Sequence, residues 1–250
     1  MASELEKTAV DWLTTHKEDH TDSKADMNQY WYSAATIATL VDVVRSHCLP
    51  AKQPDASLDV AFISTPSLYF SLSPAERAQS RLLEYDDALG VDEPGFVFYD
   101  FHEPEALPEE LRGAFGCVVI DPPYITSEVW MQYVATAKWL LAPGGHAVLT
   151  TVIENAELLG EQLGVQPNHY LPSIPNLPYQ YAVYTNFDAP QLAQTNPEVP
   201  HDPVAFLSAP REAARAAVTE TPLAGKGASY DFEAMIEAEL RRQEAAAQQA

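Results

Sequence analysis

The sequence predicts an α/β protein whose strands form a parallel, doubly wound sheet. Two observations support this fold class. Short apolar runs alternate with helical patterns between residues 28 and 188, and Pro, Gly, Ser or Asp residues separate them. The chain has 250 residues, of which 46% are hydrophobic, so it can bury one core domain with extensions or two small domains. In such a sheet ligands bind at the carboxyl ends of the strands.

The elements are predicted in order along the chain. A helix starts at Ser33, a favourable N-cap residue, and is followed by apolar residues at helical spacing that include Ile37, Leu40, Val41 and Val44. Strands are predicted at 58–64, 81–86, 96–100, 117–121, 146–153 and 181–187, helices at 127–142 and 155–163, and a helical or looped segment at 67–79. Pro143, Gly144 and Gly145 are expected to end the helix at 127–142.

Two polar extensions flank this pattern. Residues 1–27 form a polar N-terminal arm, and residues 28–188 form the core domain. Residues 189–250 begin with a proline-rich linker and end in a charged, alanine-rich helix at 231–249. We therefore expect a single domain with terminal extensions.

The charge of the chain narrows the class of partner. The net charge is −22, from 14 basic and 36 acidic residues, and residues 28–188 alone carry −14. Binding to a phosphate backbone needs clustered Lys and Arg, so nucleic acid is a poor partner. A basic protein is a better one.

Compartment and metal content follow from the cysteines and histidines. Two cysteines exclude a disulfide scaffold, and the start of the chain has no apolar signal segment. No run approaches 18 apolar residues, so we expect no membrane contact and a cytoplasmic location.

Only His16 and His20 have the spacing of two ligands on one helix face, and no third ligand is evident, so no metal site is predicted.

The motif that best indicates chemistry is Asp121-Pro122-Pro123-Tyr124. It follows the apolar strand at 117–121, where a site is expected. Two prolines fix the backbone and remove two N–H donors, so the local carbonyls and the Asp121 carboxylate are acceptors only. Such a set can hold an amino group in a fixed direction, and Tyr124 offers a π-face to a planar base or a cation.

Acidic residues end the neighbouring strands. Glu84 and Asp86 end the second strand, where an acid takes the ribose hydroxyls of a bound nucleoside. Asp100 ends the third strand and can accept from an adenine amino group, with Phe101 beside it for stacking. The first strand is followed by Ser64, Thr65 and Pro66 with no glycine, which disfavours NAD or FAD but not a nucleoside cofactor without phosphates, such as S-adenosylmethionine.

Six blocks in this order resemble a known family. They are QYWYS (29–33), ISTPSLY (63–69), EYD (84–86), FYD (98–100), DPPY (121–124) and YAVYTNFD (181–188). Together they resemble the eukaryotic protein-lysine methyltransferases that modify translation elongation factor 1-alpha, a group first described as N6-adenine methyltransferase-like. The resemblance covers roughly residues 28–188.

The resemblance implies a seven-stranded, Rossmann-like methyltransferase fold, S-adenosylmethionine as methyl donor and a lysine ε-amine of the elongation factor as acceptor. It also implies roles by position. Ser64, Thr65 and Pro66 line the methionine end of the cofactor, Glu84 binds the ribose, and Asp100 and Phe101 hold the adenine. Trp31 and Tyr32 cover the cofactor. The lysine is received by Asp121, Pro122, Pro123 and Tyr124, and Asp121 is also counted among the cofactor residues.

Three functions remain open at this point. The first is a protein-lysine methyltransferase, the second an N6-adenine methyltransferase acting on nucleic acid, and the third a binding module that keeps the fold without catalysis. The negative charge of residues 28–188 favours the first over the second. The intact DPPY motif argues against the third. The oligomeric state and the identity of a general base are left undetermined by the sequence.

Overall fold

The computed structural model of the protein describes residues 31–49, 56–175, 177 and 179–208. These residues contain a sheet of seven strands with the spatial order β3-β2-β1-β4-β5-β7-β6. The strands are β1 Leu58–Ile63, β2 Arg81–Glu84, β3 Phe96–Phe98, β4 Phe115–Ile120, β5 Leu141–Thr151, β6 Gln166–Pro167 and β7 Ala182–Thr185. The predicted seven-stranded α/β fold is confirmed.

The sheet is mixed rather than wholly parallel. Strands β1 to β5 pair in parallel, whereas β7 is antiparallel to both β5 and β6. The expectation of a parallel sheet is therefore wrong for β7. A parallel return needs a crossover, usually a helix, and β7 follows β6 without one within the described residues, so the chain reverses instead.

Helices cover both faces of the sheet. They are α1 Ala34–Val43, α2 Pro66–Phe70, α3 Pro74–Arg77, α4 Ser127–Leu140, α5 Ala156–Leu163 and α6 Pro203–Ser208. Ser33 caps α1 as predicted, since its Oγ accepts the Thr36 N–H at 3.2 Å. Helix α4 ends at Leu140, before the predicted stop, and Pro143, Gly144 and Gly145 lie in β5. Within the described residues no helix is long and apolar enough to cross a membrane.

Strand β4 shows how the sheet separates two cores. Val118 and Ile120 face the cluster that contains Trp130 and other residues of α4. Cys117 and Val119, which alternate with them, face the cluster formed with α1 and α2. A strand that is buried on both faces has apolar residues at successive positions, and this continuous run is why β4 could be predicted from the sequence.

The folded part continues past the predicted boundary at Asp188. The short helical turn Pro190–Ala193 packs on α1, and the side chain of Leu192 is fully buried. The Leu192 carbonyl accepts the Tyr170 N–H at 2.8 Å, and buried Asn196 donates to the Leu171 carbonyl at 2.9 Å. The beginning of the predicted linker is thus packed against the domain. The predicted arm at 1–27 and helix at 231–249 lie outside the described residues.

We expect Leu192→Ala to lower the free energy of unfolding by about 3 kcal/mol, because a buried leucine is replaced by a cavity. Gln194→Ala, an exposed position two residues later, is the matched control and should change it by less than about 0.5 kcal/mol. Urea denaturation of both variants measures the difference. If Leu192→Ala has the same free energy of unfolding as Gln194→Ala, the segment after Asp188 behaves as a linker and does not stabilise the domain.

Candidate active site

The carboxyl ends of four adjacent strands meet at one edge of the sheet. Ile63 of β1 pairs with Leu83 of β2 and with Ile120 of β4, and Ile120 pairs with Leu149 of β5. The residues that directly follow these four paired residues in the chain therefore form one row across the sheet. That row contains Glu84, Ser64, Asp121 and Thr150, so three of the predicted site residues are brought side by side.

Asp121 is held by two hydroxyl groups. The Thr150 Oγ1 donates to its Oδ1 at 2.8 Å, and the Tyr32 hydroxyl is hydrogen-bonded to the same carboxylate. Tyr32 and Thr150 also contact each other, with 2.5 Å between their hydroxyl oxygens. Burial raises the pKa of Asp121 to about 7, and the hydrogen bonds from Tyr32 and Thr150 oppose that rise.

The Tyr32 hydroxyl stays protonated in this arrangement. Burial, and after it the Asp121 carboxylate, raise the pKa of Tyr32 well above its usual value.

The sequence analysis expected Tyr32 to cover the cofactor, and in the structure the Tyr32 hydroxyl is hydrogen-bonded to Asp121. Trp31, which precedes it, is half-buried. Thr150 was missed, although two threonines at the end of an apolar strand were a usable signal.

A second set of hydrogen bonds fixes the loop after the DPPY motif. The Asn155 Nδ2 donates to the Ile125 carbonyl at 2.9 Å and to the Thr151 Oγ1 at 3.0 Å. The Trp130 indole N–H donates to the same Thr151 hydroxyl at 2.9 Å. The loop is therefore tied to Asn155, and buried Asn155 and Trp130 both donate to the Thr151 hydroxyl at the end of β5.

The turn after β1 is also fixed by neighbours. Ser64 has a φ of 55°, in the left-handed region that is uncommon for residues other than glycine. Its N–H donates to the Leu83 carbonyl at 2.9 Å, and its Oγ lies 2.8 Å from the Tyr133 hydroxyl. Thr65 is buried, and Pro66 begins α2. Tyr133 was not identified from the sequence, because it occupies an ordinary core position of a helix pattern.

The end of β2 carries a buried acid. Glu84 is 7% exposed, and its Oε1 accepts the N–H groups of Tyr85 at 2.8 Å and Asp86 at 3.4 Å. Burial raises the pKa of Glu84 to about 7, and those two N–H groups oppose the rise. Asp86 caps the turn Asp87–Gly90 through its Oδ1, which accepts the Ala88 N–H at 3.1 Å. Of the two acids, Glu84 is therefore the better placed for a ligand hydroxyl.

Aromatic rings join the end of β3 to the DPPY motif. The Phe101 ring lies 6.0 Å from the Tyr124 ring, edge to face, and 5.9 Å from the Tyr133 ring, stacked. Asp100 accepts from the His102 backbone N–H at 2.9 Å and contacts its Nδ1 at 2.7 Å. These contacts, the backbone one first, lower the pKa of Asp100, so it remains a carboxylate.

This row of groups fits a nucleoside without phosphates. The β1 turn has no glycine-rich loop to approach a pyrophosphate, while Glu84 can accept hydroxyl hydrogens and Phe101 offers a ring for stacking. The described residues contain no group of three or more His, Cys, Asp or Glu side chains placed to hold a metal ion.

Comparison with known proteins gives one consistent family. The sequence profile of the family described as probable N6-adenine methyltransferase matches residues 23–189. The chain is 30% identical over 174 residues to EEF1A lysine methyltransferase 1 of Danio rerio, covering 67% of this chain and 100% of that protein. Identity to the Gallus gallus protein of the same name is 31% over 165 residues, 64% of this chain and 74% of the relative.

A fungal relative carries a more general description. The protein-lysine N-methyltransferase EFM5 of Saccharomyces cerevisiae is 29% identical over 130 residues, which are 48% of this chain and 49% of that protein. The resemblance drawn from the six motif blocks is confirmed, and the chain belongs to the family described as probable N6-adenine methyltransferase, together with these protein-lysine methyltransferases.

Proposed function

We propose that this protein transfers methyl groups from S-adenosylmethionine to a lysine ε-amino group of translation elongation factor 1-alpha. The names of its relatives support the reaction and the substrate. The observation that carries the proposal is the Asp121 carboxylate, fixed at the end of β4 by Tyr32 and Thr150 and followed by two prolines. That arrangement accepts hydrogens from an amine and donates none through the proline backbone.

The ends of β1, β2 and β3 are the proposed cofactor site. S-Adenosylmethionine would supply an electrophilic methyl group, which an amine takes by in-line displacement. In this proposal Ser64, Thr65 and Pro66 line its methionine part, and Glu84 accepts its ribose hydroxyls. Phe101 and Asp100 hold the adenine.

The β4 end is the proposed lysine site. Asp121 and the Pro122 carbonyl accept the amine hydrogens, which directs the lone pair of the nitrogen toward the methyl group. The Tyr124 ring provides a π-face for the positive charge that develops on the nitrogen. No covalent intermediate is required, so no nucleophile on the protein is needed.

Asp121 acts in this scheme as a positioning acceptor and not as the base. A lysine has a pKa near 10.4, about three units above that of Asp121, so the carboxylate cannot hold the proton it would remove. The acceptor lysine therefore loses its proton to solvent before or during binding.

The pKa of Glu84 gives a pH prediction. Below pH 7 Glu84 is protonated in the free protein, and it must lose that proton to accept from both ribose hydroxyls. Affinity for S-adenosylhomocysteine should therefore fall as pH decreases through 7, by about tenfold per unit below it. Calorimetry between pH 5.5 and 8.5 measures this trend.

Glu84→Gln is the control for that titration. It should bind more weakly with a flat pH profile, and an unchanged slope would assign the titration to another group.

The same raised pKa of Glu84 makes the free protein less stable as pH rises from about 4.3 to about 7, because the unfolded chain ionises first. Above pH 7 this contribution is constant.

The proposed function is tested with labelled S-adenosylmethionine and purified elongation factor 1-alpha. Label should enter the protein, survive nuclease and be removed by protease. Equal treatment of total RNA and an adenine-containing oligonucleotide tests the alternative of N6-adenine methylation. The net charge of −14 over residues 28–188 opposes binding of a phosphate backbone, so we expect no label there. Faster labelling of the oligonucleotide than of the protein would reject the proposal.

A further inference from the structure

A groove with a volume of about 210 Å³ lies next to Ser33, the residue before α1. Its walls come from the loop before β7 and from the turn after Asn196, and include Pro172, Ile174, Tyr179, Tyr181, Glu198 and Val199. Pockets for drug-sized ligands are larger, about 300–1,000 Å³, so this groove has the size for a single long side chain. We call it the Tyr179–Glu198 groove.

The groove adjoins the groups that hold Asp121. Tyr181 forms one wall, contributes to the raised pKa of Tyr32 and directly precedes Ala182, which pairs with Thr151 of β5. On the other side Glu198 accepts a hydrogen bond from the Ser33 hydroxyl, and Ser33 is the neighbour of Tyr32 in the chain. The groove is thus bonded to the residue next to Tyr32, whose hydroxyl bonds Asp121.

Internal hydrogen bonds form the groove in advance. The Gln180 Nε2 donates to the carbonyls of Pro172 and Tyr181, both at 2.8 Å. The Ser33 N–H donates to the Ser173 carbonyl at 2.9 Å. Asn196, which is buried, accepts the Glu198 N–H at 3.0 Å. A side chain entering the groove therefore does not have to order these walls.

The chemistry of the walls selects the occupant. Tyr179 and Tyr181 stack with 6.1 Å between ring centroids, and Tyr179 is 45% exposed. Glu198 adds a negative charge, and no lysine or arginine is among the described residues that line the groove. The lining also includes the polar side chains of Ser173, Gln180 and His201. Tyrosine rings, polar groups and one carboxylate together suit a long aliphatic stem that ends in a cation.

We propose that the Tyr179–Glu198 groove binds a second basic side chain of the substrate protein, close in sequence or space to the acceptor lysine. This inference rests on the proposed function. The groove then determines which lysine is chosen: a lysine with a basic neighbour at the right distance is anchored at two points, and an isolated lysine at one.

Glu198→Gln tests the inference in the full-length protein, since it removes the charge and keeps an acceptor for Ser33. We expect the KM for elongation factor 1-alpha to rise about tenfold, which corresponds to about 1.4 kcal/mol, with kcat within about twofold. The wild-type KM should also increase more steeply with salt than that of the variant. Glu161→Gln, the same change at an exposed acid of α5, is the matched control and should behave as wild type.

Two further measurements complete the test. Glu198→Lys should raise the KM more than Glu198→Gln does, and Tyr179→Ala should raise it severalfold without a change in S-adenosylhomocysteine affinity. A wild-type KM in Glu198→Gln, or a loss confined to kcat, overturns the inference and leaves the proposed function intact. Wild-type protein that does not methylate the elongation factor instead rejects the proposed function, and this inference with it.

Discussion

Replacing Asp121 by alanine is expected to lower methyl transfer by about 10³-fold or more. A hydrogen bond to a charged group contributes about 1.5–3 kcal/mol, and misplacing the amine by about 1 Å costs a further 10²-fold. Affinity for S-adenosylhomocysteine should stay within about tenfold, because the proposed scheme assigns Asp121 to the acceptor amine and Glu84 to the ribose. The measurement is turnover on purified elongation factor 1-alpha, with calorimetry on the same preparations.

The variant should remain folded. Asp121 is a buried acid whose pKa is raised by that burial, so removing it does not remove a stabilising charge. In its absence one of the two hydroxyls can donate to the other, because the Tyr32 and Thr150 oxygens are 2.5 Å apart. Asp121→Asn, which preserves shape and one acceptor oxygen, is the matched control and should lose less activity than the alanine variant. Near-normal turnover in Asp121→Ala would remove the central role assigned to this carboxylate.

Tyr124 separates the aromatic contribution from that of the carboxylate. Tyr124→Phe should be milder than Tyr124→Ala, since the π-face and the contact with Phe101 survive in phenylalanine. Equal losses in the two variants would assign the effect to the hydroxyl and not to the ring.

The sequence predicted the fold where burial leaves a simple pattern. Strand β4 is apolar on both faces, and the motif after it lies at a sheet edge by the geometry of parallel strands. Strand β6 has two residues and leaves no such pattern. The direction of β7 depends on the connection before it and not on its own residues.

The candidate site was predictable as far as its acids and its motif. Glu84 is the last residue of β2 and Asp121 directly follows β4, and the sequence places both acids at the ends of these strands. Thr150 and Tyr133 reach the site from distant parts of the chain, through registers and helix packing that local patterns do not contain. The packing of Leu192 on α1 was hidden for a related reason, because the surrounding prolines are typical of a linker.

The hydroxyl pair Tyr32 and Thr150 is expected to set the charge of Asp121. Both groups donate to the carboxylate and lower a pKa that burial has raised to about 7. Removing them with Tyr32→Phe and Thr150→Val should raise that pKa further, so Asp121 becomes neutral at a pH where it is ionised in the wild type. We expect each single variant to lose about tenfold in turnover at pH 7 and the double variant about 10²–10³-fold.

The pH dependence distinguishes this effect from a simple loss of structure. The acceptor lysine becomes neutral with rising pH in wild type and variants alike, so its ionisation cancels in the ratio of double-variant turnover to wild-type turnover. That ratio should rise with pH between 6.5 and 9, because the carboxylate of the double variant forms again as pH passes its raised pKa. A structural defect would lower the ratio equally at every pH, and such a flat ratio would show that the two hydroxyls do not act through the charge of Asp121.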